Sequence, residues 1–170
     1  DDADFDVLAL IAEQSGEIKV NTTNYAIAEV LKTFEAKTVT NLDELKAIIN
    51  VALDPAYQVS FEASQSFYNL LDTLKDKNGR YLLQDSIVSP SGQVALGKVI
   101  NVLSDETLGA ATEAKSFVGD SKRGVLFVDR LEIGLRWAEN DIYGQYLQAV
   151  MRFDVKKADA KAGYFVTYTP

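Results

Sequence analysis

The sequence contains no histidine and no cysteine among its 170 residues. Without histidine, neither a Ser-His-Asp triad nor a Cys-His nucleophile can be assembled. Without cysteine there is no disulfide, no thiolate zinc and no iron–sulfur ligation, and cysteine says nothing about redox compartment. Carboxylate and lysine chemistry remain open. Basic charge is also scarce: 17 Lys and Arg stand against 25 Asp and Glu, a net charge of −8. Nucleic-acid backbones are held by a basic footprint, so this balance argues against non-specific binding to them. No apolar run approaches the roughly 20 residues of a membrane helix. The chain opens on Asp1-Asp2-Ala3-Asp4, acidic where a signal peptide is basic, and its single methionine is Met151. The expectation is therefore a fragment or processed product.

What is present has a globular profile, with 47% hydrophobic, 10% aromatic and 25% charged residues. The length suits one domain, alone or with a small appendage, that buries roughly 70% of its unfolded surface. Residues 4–33 read as mostly helical, with Asp4 or Asp6 as cap and Val7, Leu8, Leu10 and Ile11 as an apolar stripe. Ser15-Gly16 and Asn21 to Asn24 are poor helix formers, so propensity splits this stretch into two helices. Asn41 with Glu44 three residues on resembles a capping box, ahead of a helix carrying Leu42, Leu45, Ile48, Ile49, Ala52 and Leu53 and stopped by Asp54-Pro55. Residues 57–62 alternate as a strand. Ser64 caps a third helix with Phe67, Leu70, Leu71 and Leu74, predicted to exit at Asn78-Gly79. Short strands are predicted at 80–83, 98–103, 125–128, 131–137, 146–155 and 164–167, with loops at 84–93, 104–115 and around Asn140-Asp141. Helices first and strands later indicate an α+β class. There is no internal repeat, low-complexity tract or linker.

The chemical motifs are weak. Gly119-Asp120-Ser121 matches the nucleophile tripeptide of one esterase family, but the required histidine is missing; the alternative is a turn into the next strand. Asp76-Lys77-Asn78-Gly79 resembles the middle of a calcium loop, yet its first ligand position falls on Leu74. There is no phosphate loop, no dinucleotide fingerprint and no Ser-x-x-Lys. Asp43-Glu44 sits in a helix's opening turn, where the dipole favours it, and Asp105-Glu106 in an expected loop. Lys122-Arg123 and Lys156-Lys157 read as solvated turns, and Asn21-Thr22-Thr23 fits a glycosylation sequon with no sign of secretion. No catalytic, cofactor-binding or metal-binding residue is assigned, and no cofactor is expected.

The segment 67–83, Phe-Tyr-Asn-Leu-Leu-Asp-Thr-Leu-Lys-Asp-Lys-Asn-Gly-Arg-Tyr-Leu-Leu, resembles the helix and turn of major capsid proteins of tailed bacteriophages and prophages with the HK97-type shell fold. Other pieces follow in that family's order. Gln93 to Val102 is similar to one of its strands. Phe117 to Asp120 with Val125 to Arg130 is similar to a strand pair, and Met151 to Val155, Ala158 to Ala160 and Tyr164 to Val166 to its closing strands. The likeness covers 41–170 well and 4–40 more loosely.

The resemblance implies an α+β, HK97-type capsid fold: a long spine helix with a peripheral sheet, plus a mixed α/β axial domain. Residues 1–40 would supply the spine helix of the peripheral domain, 41–130 the axial domain, and 131–170 the returning strands of the peripheral domain. The spine would then be one helix, with a break near Gly16 or Asn21 to Asn24 as the rival outcome. The family's N-terminal arm and extended loop are not in this sequence. The implied function is a structural shell protein, not an enzyme, assembling into pentamers and hexamers of an icosahedral capsid in the virion, made in the bacterial host cytoplasm. Its implied partners are copies of itself, with scaffolding, portal and decoration proteins, and packaged DNA enclosed without specific binding; no membrane is involved. Assembly contacts are expected at the axial tip, for which 104–116 is a candidate, and along the spine. Alternatives are a small soluble binding or adaptor module, and third a hydrolase; either would show a concave site with converging polar groups.

Overall fold

A computed structural model describes residues 7–75, 93–110, 112–142 and 144–169. The stretch that propensity would split forms one helix, α1 (Val7–Leu31). In its weak middle the Thr23 hydroxyl bonds back to the carbonyls of Lys19 at 3.0 Å and Val20 at 2.9 Å. These bonds satisfy the hydroxyl within the helix, an arrangement that by itself slightly weakens it. The ammonium of Lys19 lies 3.8 Å from Asp129, adding an external tie at the same turn.

Strand β1 (Glu35–Val39) leads to α2 (Leu42–Ala47). Asn41 caps α2 as its sequence predicts, accepting from the Glu44 N–H at 2.8 Å. Glu44 reaches back to the Thr40 N–H rather than to that of Asn41, one residue beyond a strict capping box. The expected continuous helix to Leu53 instead widens into a π-helical turn (Ile48–Ala52), closed by Leu53 N–H on the Ile48 carbonyl at 3.1 Å. The widening keeps Ile48, Ile49 and Leu53 all inside the core.

Strand β2 (Ser60–Ser64) starts three residues later than its alternation suggests, and α3 (Gln65–Thr73) follows at once. Ser64 serves both elements: it ends the strand, and its buried hydroxyl accepts from the Phe67 N–H at 3.2 Å as helix cap. Helix α3 ends at Thr73 with Leu74 as cap, ahead of the predicted exit. That exit, the expected strand 80–83 and nearly all of loop 84–93 lie outside the described residues.

The stretch likened to a single strand at Gln93 to Val102 is a hairpin, β3 (Gln93–Ala95) and β4 (Lys98–Leu103). Its two turn residues, Leu96 and Gly97, both have positive φ, 54° and 73°. A leucine there costs about 1 kcal/mol, offset by the packing of its side chain against the core. The expected loop 104–115 contains a helical turn, α4 (Asp105–Leu108). Then come β5 (Lys115–Gly119), the turn α5 (Ser121–Gly124), and β6 (Val125–Asn140), which runs through the predicted gap at 129–130. β7 (Gly144–Lys157) and β8 (Gly163–Tyr168) complete the chain.

Six strands form one mixed sheet in the order β1-β8-β5-β2-β4-β3, parallel at β1–β8 and β2–β4 and antiparallel elsewhere. One face packs Phe61, Ala63, Ile100, Val118, Val166 and Tyr168 with Leu45, Ile48, Phe67 and Leu71 of the helical segments. Each such aliphatic or aromatic side chain contributes about 1.5–3 kcal/mol by leaving water. On the other face Phe117 meets Phe34 edge to face at 4.9 Å. Strands β6 and β7 form a separate two-stranded ribbon. The chain divides into two compact units, one of residues up to 27 with 127–155, the other of 28–126 with 156–170. Residues 156–170 join the larger unit because β8 inserts between β1 and β5 of the six-stranded sheet.

Strands β5 and β8 approach most closely at Gly119 and Gly163, where a Cβ on Gly163 would fall into the Phe117 ring. Gly163→Ala should therefore lower unfolding free energy by about 1–3 kcal/mol through overpacking, read by urea denaturation.

Candidate functional site

The tripeptide with a nucleophile's sequence turns out to be a junction. Gly119 ends β5, Asp120 caps α5, and Ser121 opens it. The buried Asp120 carboxylate accepts from the Arg123 N–H at 3.1 Å and from the Gln58 N–H at 3.0 Å, while its own N–H donates to the Ala162 carbonyl at 2.8 Å. The Arg123 guanidinium stands 3.9 Å from the same carboxylate. Behind it the Tyr57 hydroxyl donates to Asp159 at 2.6 Å, which holds the Asp159 carboxyl below its usual range and the phenol above its own. Three connections, 54–58, 120–124 and 158–162, are thereby sewn together.

Beside the junction, on the sheet face away from α2 and α3, lies a pocket of about 260 Å³ lined by Ser60, Glu62, Asn101, Asp120, Ser121 and Lys122, among others. Beyond Asp120 and Ser121 of the tripeptide no sequence motif pointed to it, because its polar groups come from β2, β4 and α5. The Ser121 and Ser60 hydroxyls both donate to the Glu62 carboxylate, at 3.1 Å and 3.4 Å. Burial pushes the Glu62 carboxyl up, and hydrogen bonds from Asn101, Ser121 and Ser60 offset part of that rise. The hydroxyls are thus spent on solvating a carboxylate. The imidazole that would draw a proton from Ser121 is missing from the whole sequence. Among the described residues no group of three or more acidic, histidine or cysteine side chains is placed to hold a metal ion. No helix among them is long and apolar enough to cross a membrane.

The other marked residues are structural as well. Asp43 and Glu44 lie in the first turn of α2. Asp105 accepts from the Ser66 N–H at 2.8 Å and hydroxyl at 2.7 Å, which lowers its carboxyl and ties 104–115 to the start of α3. Buried Leu108 and the Ser64 hydroxyl, which donates to the Glu113 carbonyl at 3.1 Å, fix that segment further. Lys157, read as part of a solvated turn, instead donates to the Thr33 carbonyl at 2.7 Å and lies 4.7 Å over the Phe34 ring, closing the end of α1. Asn21-Thr22-Thr23 sits inside α1, and the calcium-like Asp76 to Gly79 lies outside the described residues. The surface, by contrast, is rich in apolar groups along the ribbon: Leu126, Phe127, Val128, Trp137, Ile142 and Tyr146 are exposed.

Glu62 sets a pH dependence with a definite sign. Its folded pKa is raised, so the folded state binds the proton more tightly than the unfolded chain. Its contribution is fully present below the unfolded Glu value of about 4.3 and is lost as pH rises through the folded value. Glu62→Gln should flatten this part of the stability profile between pH 4 and 8 while keeping an acceptor for Ser60 and Ser121. Urea midpoints across that range provide the check.

No curated protein matches the sequence. The capsid of a native GTA particle matches the fold with a TM-score of 0.78 at 17% identity, over 100% of this chain and 68% of that one. A chain of Gordonia phage Cozz gives 0.65 at 16% identity, over 95% and 64%, and the mature capsid of bacteriophage PhiM1 gives 0.62 at 13%, over 98% and 66%. The chain thus spans about two thirds of the length of these structures. The Phage capsid family matches over residues 10–167, nearly the whole sequence, and the chain belongs to that family as a structural shell protein of the HK97-like fold.

Proposed function

We propose that this chain is the tile of a tailed phage or prophage head, repeated as pentamers and hexamers in a closed icosahedral shell around DNA. The observation that carries this reading is the family match across residues 10–167 together with a capsid-like fold over the full chain. The unit of 28–126 and 156–170 would take the axial role around the symmetry axes, and α1 with the β6–β7 ribbon the peripheral one. Work of this kind is done by edge-to-edge fit, and many modest contacts add up once rings and shell close. The reading involves no catalytic step by the tile.

A charge of −8 suits a container that encloses DNA without gripping it, since a basic lining would retain the genome by counterion release. Scaffolding, portal and decoration proteins would be its further partners, and host cytoplasm its place of synthesis. Expression of the intact gene product in bacteria, followed by sedimentation and electron microscopy, should yield closed particles or capsomer rings. A product that stays monomeric under all assembly conditions, or that turns over a substrate after rigorous purification, would refute the proposal.

A further inference from the structure

Two surfaces of the smaller unit carry unpaired charge of opposite sign. On α1, a shallow groove is lined by Glu13, Gly16, Glu17, Val20 and Asn21, and Val20 is exposed. Glu13 and Glu17 are both exposed and stand four residues apart, one turn of helix. Such like-charged neighbours repel. Among the described residues neither meets a cation. On the ribbon, a second groove is lined by Val128, Arg130, Met151, Arg152, Phe153 and Asp154. Arg130 and Arg152 come from opposite strands, are exposed, and have no carboxylate partner among the described residues. Like charges across strands also repel. Each groove thus carries like charges that those of the other groove would relieve.

The ribbon also has the composition of a contact surface. It holds the chain's single Trp, 64% exposed, its single Met, and three of its five Arg. Trp, Met and Arg are enriched in interface cores and hot spots. A two-stranded ribbon is marginal by itself, and covering its face stabilises it.

We propose that the ribbon groove of one copy seats on the α1 groove of a second copy, Arg130 and Arg152 pairing with Glu13 and Glu17 while Val128 and Phe153 cover Val20. The proposal rests on the shell-protein reading and assigns it one contact. Because two different patches meet, the contact is head-to-tail, the kind that closes into rings or continues between them.

The test is charge reversal with rescue in the intact protein. Arg130→Glu with Arg152→Glu, and separately Glu13→Arg with Glu17→Arg, should each cut the assembled fraction by about tenfold, since a weakened contact is repeated at every copy. The fourfold variant should recover assembly, and all three should keep the native circular dichroism spectrum and melting transition. A second reading uses the absence of native cysteine: Val20→Cys and Val128→Cys proteins, mixed and treated with a short bismaleimide, should give a linked dimer that neither gives alone. If the native protein assembles and the reversals do so equally well, or the fourfold variant fails to recover, or no link forms, the contact is wrong and the shell reading stands. If the native protein never assembles, both fall.

Discussion

The fold turns on one buried carboxylate. Asp120 accepts from the Arg123 N–H of the turn that it caps and from the distant Gln58 N–H, and sends its own N–H to the Ala162 carbonyl. A buried carboxylate is costly unless its oxygens are filled, and here both are. The three connections so joined flank β2, the β5–β6 passage and the β7–β8 passage. Gly119 and Gly163 let the neighbouring backbones come close enough for Asp120 to reach these partners. Among the described residues every buried side-chain nitrogen or oxygen has a hydrogen-bond partner.

Much of this architecture was legible where a local rule decides it. Ser64, Asn41 and the Asp54-Pro55 stop behave as capping chemistry predicts, and β4 has the predicted limits. Tertiary contacts overrode the rest. α1 stays whole through a poor stretch in which Lys19 meets Asp129 of β6. The β3–β4 hairpin was hidden because its turn places a leucine in a left-handed conformation that Asn or Gly would normally mark. Lys157 gave no signal of its role, since its partners lie more than a hundred residues away. The Glu62 pocket is likewise assembled from three distant segments, so no linear pattern announces it.

The chemistry that the composition removed is consistent with what the site residues do. Serines, aspartates and glutamates at the junction and pocket are used to satisfy one another and the backbone, which makes the larger unit stiff. What the surface leaves unsatisfied is charge and apolar area on the helix and ribbon. For a structural shell protein, that is a useful division: rigidity within the tile, unfinished business at its edges.

The position of β8 has a consequence for biogenesis. It lies between β1 and β5, so more than 120 residues separate β1 from its partner and the sheet stays open until Gly163–Tyr168 leave the ribosome. Such long-range closure slows folding and keeps strand edges bare in the nascent chain. A translating chain therefore lacks the larger unit's finished sheet until β8 has emerged, and its β1 and β5 edges wait for the same late strand.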